Sequence, residues 1–442
     1  MTATLTRETF ETSRLMEFFS EKELSMQIGH DADWWPSALV KELVDNGLDA
    51  CETGGVPPEI VVTLEDDAVR IADNGPGLPA ATLGRSLDYL VRVSDKNHYV
   101  SPTRGQLGNA LKCVWAAPFV ATGEEGRVEV VAGDQRHVVT VGLDLIAQRP
   151  ELSHEVHALA GDDVRTGTSV NIEWRGIAGC LDDEQGLPYV ERLLTNFAAF
   201  NPHASFTWQT NGSSGTIPAT DPAWRKWQPA DPTSPHWYTV ERLRDLVAAY
   251  LTQERQENAK ARTVREFVAE FRGLSGTAKQ KAVTTSLGLT GAYLHDLVDG
   301  DVSLEKVAAL LAAMQRESRP LKAHALGVLG KEHFTQHMVD HRHVEAASVR
   351  YKKVEGEVGG LPFVLEVAFG IYTQDFEDRG SDVAVGLNWS ATFRPPIREL
   401  LNLLGQQRVD SRDPVVVLVH LACPVMQFTD RGKGVLQLLR GD

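Results

Sequence analysis

Cysteine is scarce in this chain: four residues in 442 (Cys51, Cys113, Cys180, Cys423), no two of them in a C-x-x-C pair. That spacing speaks against a zinc ribbon or a disulfide framework and fits reduced thiols. Long apolar runs are missing too. The longest, Pro414 to Pro424, is interrupted by His420 and falls far short of the ~20 residues that span a bilayer. No membrane partner is expected. The N-terminal stretch MTATLTRETFETSRLMEFF carries charges throughout and has no signal-peptide core, so a cytoplasmic protein is predicted. Positive charge is in deficit, with 44 Lys and Arg against 60 Asp and Glu and a net charge of −16. A surface that coats nucleic acid or anionic lipid all over is excluded, and any DNA contact must be local. What is present, 42% hydrophobic and 24% charged residues, is ordinary globular composition. At roughly 100 to 200 residues per domain the length favours two to four domains.

Hydrophobic periodicity divides the chain. Up to about residue 210 it predicts a helix at Trp35 to Cys51, strands at Ile60 to Leu64, Val69 to Ile71, Val128 to Val131, Val138 to Val141 and Ser169 to Trp174, and a helix at Val190 to Ala199. Strands outnumber helices and several are joined by short turns, so an α+β sandwich is expected rather than a doubly wound sheet. Residues 211–238 read as a linker, with five prolines between Asn211 and Pro235. From 239 to 338 the segments ERLRDLVAAYL, VREFVAEF, KQKAVTTSL, AYLHDLV and LEKVAALLAAM have helical spacing and predict a small helical domain. From 339 to 442 strands return as LPFVLEVAFGIY, DVAVGLNWSATF and PVVVLVHLA, with a helix at Ile397 to Leu404, giving a compact third domain.

Three blocks in the first domain can carry chemistry. In KELVDNGLDA, Glu42 and Asn46 are i and i+4 and project from one helix face. A carboxylate there can take a proton from water, and an amide oxygen is a hard ligand of the kind Mg2+ prefers; alone, the pair is no more than a solvated helix face. In VRIADNGPG, a strand ends on Asp73, followed by Gly75 and Gly77. Such an Asp can accept a hydrogen bond from an exocyclic amine like that of adenine, while the glycines let backbone approach a ligand; alone, DNGPG is a turn. In RGQLGNALK, residues 104–112, a glycine-rich segment leads into a helix whose N–H groups can cradle phosphate, with Lys112 as a point charge. Thr168, in a GTS strand start, offers a hydroxyl to the adenine contact or an adjacent water.

The order and spacing of these blocks resemble the Bergerat-fold (GHKL) ATPases. The helical middle, PLKAHALGVLG at 320–330, VLEVAFG at 364–370 and VVVLVHLACP at 415–424 narrow the resemblance to the B subunit of the type IIB topoisomerase, topoisomerase VI, over nearly the whole chain. The resemblance implies a Bergerat ATPase sandwich at 1–210, a helix-two-turn-helix-like domain at 239–338, and a transducer domain at 339–442 that lacks the family's long C-terminal helix. It implies Glu42 as general base and Asn46 as the Mg2+ ligand. Asp73 would read adenine, Gly75 and Gly77 would frame the pocket, and Arg104, Gly105, Gln106, Leu107, Gly108, Asn109 and Lys112 would close over the phosphates, with Thr168 supporting. Lys433, in DRGKG, matches the transducer lysine that reaches the γ-phosphate. Two ATP molecules with Mg2+ would bring two chains together as a homodimer around duplex DNA, for a separate topoisomerase VI A-like subunit that does the cutting. The rival reading is a nucleotide-sensing dimeric scaffold that recruits an effector without changing DNA topology.

Two further features stand out. Between residues 255 and 281, seven basic residues (Arg255, Lys260, Arg262, Arg265, Arg272, Lys279, Lys281) outnumber three acidic ones, a local candidate for phosphate contact or a solvated helix face. His333, His337 and His341 share i, i+4 spacing, with His343 close by, but lack Asp or Cys partners at ligand spacing, which suits an interface at least as well as a metal.

Overall fold

The structure is a computed structural model describing residues 18–89, 98–104, 110–144, 149–161, 164–181, 189–392, 404–406, 409–410 and 412–426. It opens with α1 (Glu21–Ile28) and α2 (Trp35–Thr53). Helix α2 begins with Pro36 in its first turn, where a missing N–H removes no helical bond. It buries Leu39, Val40, Leu43, Val44 and Leu48.

Beneath α2 lies an eight-stranded sheet of β1 (Glu59–Glu65), β2 (Ala68–Ala72), β3 (Gly126–Gly133), β4 (Gln135–Asp144), β5 (Arg149–Ala158), β6 (Arg165–Glu173), β7 (Ser205–Gln209) and β8 (Ser214–Ile217). Their spatial order is β5-β4-β3-β6-β2-β1-β7-β8, antiparallel except for the parallel β1–β7 pair. Helices α3 (Ala80–Ser86), α4 (Ala110–Thr122), α5 (Ile177–Cys180) and α6 (Tyr189–Phe200) complete this part. The strands alternate: Val69 and Ile71, Val128 and Val130 point into the helical layer, while the opposite face carries exposed ion pairs such as Arg127–Glu173 and Arg136–Glu129, both 3.6 Å. This is the two-layer α+β arrangement that period-2 patterning with one wet face predicts.

The middle comprises α7 (Val240–Gln256), α8 (Val264–Ala269), α9 (Thr277–Ser286), a minimal hairpin of β9 (Val298–Asp299) and β10 (Asp301–Val302), and α10 (Leu304–Glu317). Local chemistry fixes these starts. Thr263 and Glu266 form a reciprocal capping box on α8, and Thr239 and Ser303 cap α7 and α10. The segment AYLHDLV, expected as a helix, forms only a 3₁₀ turn at Leu294–Leu297. It is hemmed in by Gly291 (φ 77°) and Gly300 (φ 75°), both in left-handed backbone that ends helices.

The last part contains α11 (Lys331–Arg342) and a five-stranded sheet of β11 (Arg350–Val358), β12 (Leu361–Ile371), β13 (Asp382–Leu387), β14 (Ser390–Ala391) and β15 (Val415–Ala422), ordered β11-β12-β15-β13-β14. Central β15 is covered on both faces, which explains its apolar run, interrupted only by His420. One face joins a single apolar cluster that runs without interruption from Leu24 and Trp115 through Phe267 and Leu310 to Val364 and Val416. The other face, with Val385, Val417 and Val419, builds a small second core.

Two boundaries differ from the sequence reading. Strand β8 falls inside the stretch read as linker, since SGTI pairs with β7, and α11 packs on α6 and β12 rather than on the middle helices. The predicted helix at 397–404 lies almost wholly outside the described residues.

Candidate functional site

The site is built where β2 stops. Asp73 is buried, at 8% exposure, yet its Oδ1 accepts backbone N–H groups from Gly75 (2.8 Å) and Thr168 (3.2 Å). Its own N–H donates to the Thr168 carbonyl at 2.9 Å, and the Thr168 hydroxyl accepts from Leu78 N at 3.0 Å. Burial pushes the Asp73 carboxyl up from its ordinary value, and the Gly75 and Thr168 amides pull against that rise. The start of β6 therefore presses directly on the strand end, and only glycine permits it. Gly167 has φ 85°, and a Cβ there would lie 1.9 Å from the Asp73 carbonyl oxygen. Gly77, at φ 88°, faces the Gly167 carbonyl.

Helix α2 crosses the same spot. A Cβ on Gly47 would sit 3.2 Å from Asp73 Cβ, so this glycine lets the helix lie against the strand end. On the same helix Glu42 is half-buried and Asn46 exposed. Lys41 Nζ lies 3.5 Å from Glu42 Oε1. Asn74, which sequence reasoning passed over, staples the turn: its Oδ1 accepts from Glu59 N (2.9 Å) and Cys51 Sγ (3.1 Å), and its Nδ2 donates to Pro57 O (3.0 Å). Burial raises the Cys51 thiol to about 12, so Cys51 is a donor here and not a nucleophile. The signal for Asn74 was its place inside DNGPG, where Asn commonly bonds local backbone.

The glycine segment divides. Gly105, Gln106, Leu107, Gly108 and Asn109 lie outside the described residues, as does Lys433. The residues flanking the segment are described, and both side chains are held by groups of the protein. Arg104, expected to close over phosphate, has a fully buried guanidinium held by Asp49 Oδ1 (2.7 Å) and by both Glu52 oxygens (2.7 Å each). It anchors the segment to α2. Burial opposes its charge, but Glu52 foremost raises its pKa well above normal. Lys112, expected as a phosphate charge, is buried, donates from Nζ to Asp88 O at 2.6 Å and sits 5.8 Å from the Tyr89 ring centre. Its ammonium serves the 88–89 segment. His333, from the histidine series, is an interface residue: its ring contacts Ala199 O (3.0 Å) and Thr220 Oγ1 (2.8 Å).

No family model matches the chain. Individual proteins do. The B subunit of type 2 DNA topoisomerase 6 from Archaeoglobus fulgidus is 25% identical over 420 residues, which is 89% of this chain and 65% of that protein. This chain is similar to the topoisomerase VI B subunit along nearly its whole length. The Pyrococcus horikoshii counterpart of that subunit is 22% identical over 90% of this chain and 77% of its own length, and the one from Thermococcus gammatolerans is 29% identical over 174 residues. The chain thus spans less than two thirds of the length of the Archaeoglobus topoisomerase VI protein. Among the described residues, no helix is long and apolar enough to cross a membrane.

Proposed function

We propose that this chain binds ATP with Mg2+ at the end of β2 and acts as an ATP-dependent dimerising subunit of topoisomerase VI B type, gating capture of duplex DNA for a separate A-like cutting subunit. In this reading residues 1–210 form a Bergerat-fold ATPase domain, the middle helices a helix-two-turn-helix-like domain, and the C-terminal sheet a transducer. The observation that carries it is the buried Asp73 carboxylate, gripped on Oδ1 by two backbone amides and pressed by Gly47 and Gly167. A carboxylate kept ionisable in so tight a place serves as a fixed acceptor for a ligand's N–H donor.

The residues present fit the nucleotide. With Oδ1 occupied, Asp73 Oδ2 would accept the adenine amine, the Thr168 hydroxyl would support it, and Gly75 and Gly77 would leave room for the base. Glu42 would take the proton from the attacking water, as a half-buried carboxylate open to solvent on the helix that packs against Asp73 can do. The Asn46 side-chain oxygen would hold Mg2+, which when bound neutralises phosphate charge. Gly105 to Asn109 would cover the phosphates, and Lys433 would reach the γ-phosphate from the transducer.

Glu42→Ala tests the assignment: ATP hydrolysis should fall by roughly 10² to 10⁴-fold while ADP affinity holds, and a non-hydrolysable analogue should shift monomer to dimer in sedimentation. Wild-type hydrolysis by the variant, contaminants excluded, removes Glu42 as base. A protein that dimerises with analogue but never captures DNA is the nucleotide-sensing scaffold instead.

A further inference from the structure

A concentration of buried charge runs along α2 beside Glu42, whose Oε1 lies 3.5 Å from Lys41 Nζ. Lys41, Asp45, Asp49 and Glu52 follow one another at helical spacing, and all four are buried. Arg104 and Lys226 close on this stripe from outside the helix: Arg104 as described, and Lys226 Nζ at 2.7 Å from Glu52 Oε2. Three cations meet three carboxylates, which is how so much buried charge is tolerated.

The last contribution comes from the far end of the chain. Ser390 Oγ donates to Asp45 Oδ2 at 2.7 Å, alongside Lys41 Nζ at 2.8 Å. Ser390 follows the tight turn between β13 and β14, whose central residues Asn388 (φ 47°) and Trp389 (φ 66°) are both non-glycine residues in the left-handed region. Such backbone is unfavourable for residues other than glycine and persists only where surroundings fix it. They do so here. The Trp389 ring is fully buried with Lys226 Nζ 4.4 Å from its centre, and its carbonyl accepts from Asn201 Nδ2 at 2.8 Å. Asn388 accepts from Cys423 N (2.9 Å) at the end of β15, and its Nδ2 donates to Cys423 O (3.0 Å) and to Thr103 O (3.4 Å), one residue before Arg104.

One strained turn of the C-terminal sheet therefore touches the helix that carries Glu42 and Asn46, the root of the glycine segment, and the end of β15. We infer that the 388–390 turn is a positioning element for nucleotide turnover: through Ser390–Asp45 it sets the placement of α2, and so of Glu42, according to the attitude of the C-terminal sheet. The inference rests on the nucleotide reading above. Ser390 touches no substrate. It acts through Asp45, which lies between Glu42 and Asn46 on the same helix and shares Lys41 Nζ with Glu42.

Ser390→Ala, Ser390→Thr, Asp45→Asn and the Ser390→Ala/Asp45→Asn double variant test it, with kcat and KM for ATP, ADP affinity and melting temperature measured on the full chain. Ser390→Ala should lower kcat roughly tenfold, the effect of one hydrogen bond to a charged acceptor, with KM and ADP affinity within about twofold and little change in melting temperature. Threonine, which keeps the hydroxyl, should restore kcat. The double variant should be no slower than Asp45→Asn, since both changes break one contact. An active wild type with Ser390→Ala at full kcat overturns the inference alone. So does a kcat loss that tracks a melting loss, or one additive with Asp45→Asn, because either marks Ser390 as merely structural. A wild type that neither binds nor hydrolyses ATP removes the nucleotide reading itself, and the inference with it.

Discussion

Replacing Asp73 with Asn isolates the adenine contact from the fold that surrounds it. The amide oxygen can take the place of Oδ1 and still accept from Gly75 N and Thr168 N, now 2.8 and 3.2 Å away. That puts an NH2 where Oδ2 stood, so a donor faces the donor of the ligand. The lost contact is a hydrogen bond to a charged acceptor, about 1.5–3 kcal/mol, or roughly 10- to 150-fold in affinity at ~1.4 kcal/mol per tenfold. Stability should move the other way if it moves at all. Burial raises the carboxyl's pKa, so the folded protein disfavours its charge, and a neutral amide removes that penalty. Titration calorimetry with ADP and with a non-hydrolysable ATP analogue, run beside thermal melts, reads both quantities. The expected pair is a large loss of adenine-nucleotide affinity with an unchanged or slightly higher melting temperature. An affinity within about threefold of wild type would refute the reasoning, and so would a loss of binding that merely follows a collapse in melting temperature.

Gly167→Ala should abolish nucleotide binding and lower the melting temperature together, because its Cβ would meet the Asp73 carbonyl at 1.9 Å; a folded, binding variant in a thermal-shift assay contradicts the close approach of β6. Glu366 is fully buried on β12, where Tyr351 Oη, Leu329 N, Gly330 N and His420 Nδ1 surround it. Burial alone would raise its carboxyl, but His420 and the two amides bring it down to about 2. A folded pKa below the ordinary 4.5 contributes stability above about pH 4.5 that is lost as pH falls toward 2, about 3 kcal/mol in all. Urea unfolding across that range should show a shallower acid limb for Glu366→Gln than for wild type, and equal slopes would remove the assignment. For DNA, the structure selects among the basic residues at 255–281. Arg262 pairs with Glu270 over the Tyr250 ring, and Arg272 lies over Trp227, 5.2 Å from its centre, while Arg255, Lys260 and Lys281 are exposed. Reversing those three to Glu should weaken duplex binding at every sequence and flatten its salt dependence by about 0.9 in log–log slope per lost contact; unchanged slopes place DNA elsewhere.

Much of this was legible in the sequence wherever one physical signal dominated. Helix α2, the alternating strands β1 and β2, the capped helices α7, α8 and α10, and the apolar run of β15 each announce themselves by period, cap or composition. Strands β5 and β11 did not, because both lie at sheet edges with most residues exposed, so neither shows an apolar alternation. AYLHDLV has helical spacing, but flanking glycines limit it to one turn. At the site, Asp73 and its glycines could be found because a strand end followed by G-x-G is a local pattern. The ion pairs of Arg104 could not, since its partners Asp49 and Glu52 lie more than fifty residues upstream and its neighbour Lys226 more than a hundred downstream. Buried ion networks are assembled by tertiary packing, and spacing along the chain carries no trace of them.

The unbroken apolar cluster from Leu24 to Val416 has a practical corollary for anyone dissecting the protein. Proline-rich sequence near residue 211 looks like a natural place to cut. Severing the chain there would strip β8 from the sheet edge and take Lys226 away from Glu52. The amputated fragment would expose the apolar flank of α6, including Phe200, whose ring is overlaid by Gly386 in the intact chain. It would also carry an acidic helix stripe with too few counter-charges to remain dry. The smallest piece that preserves the pocket is therefore set by the reach of the 388–390 turn, and shorter expression fragments should be sticky, partly hydrated at α2, and poor reporters of what the whole chain does.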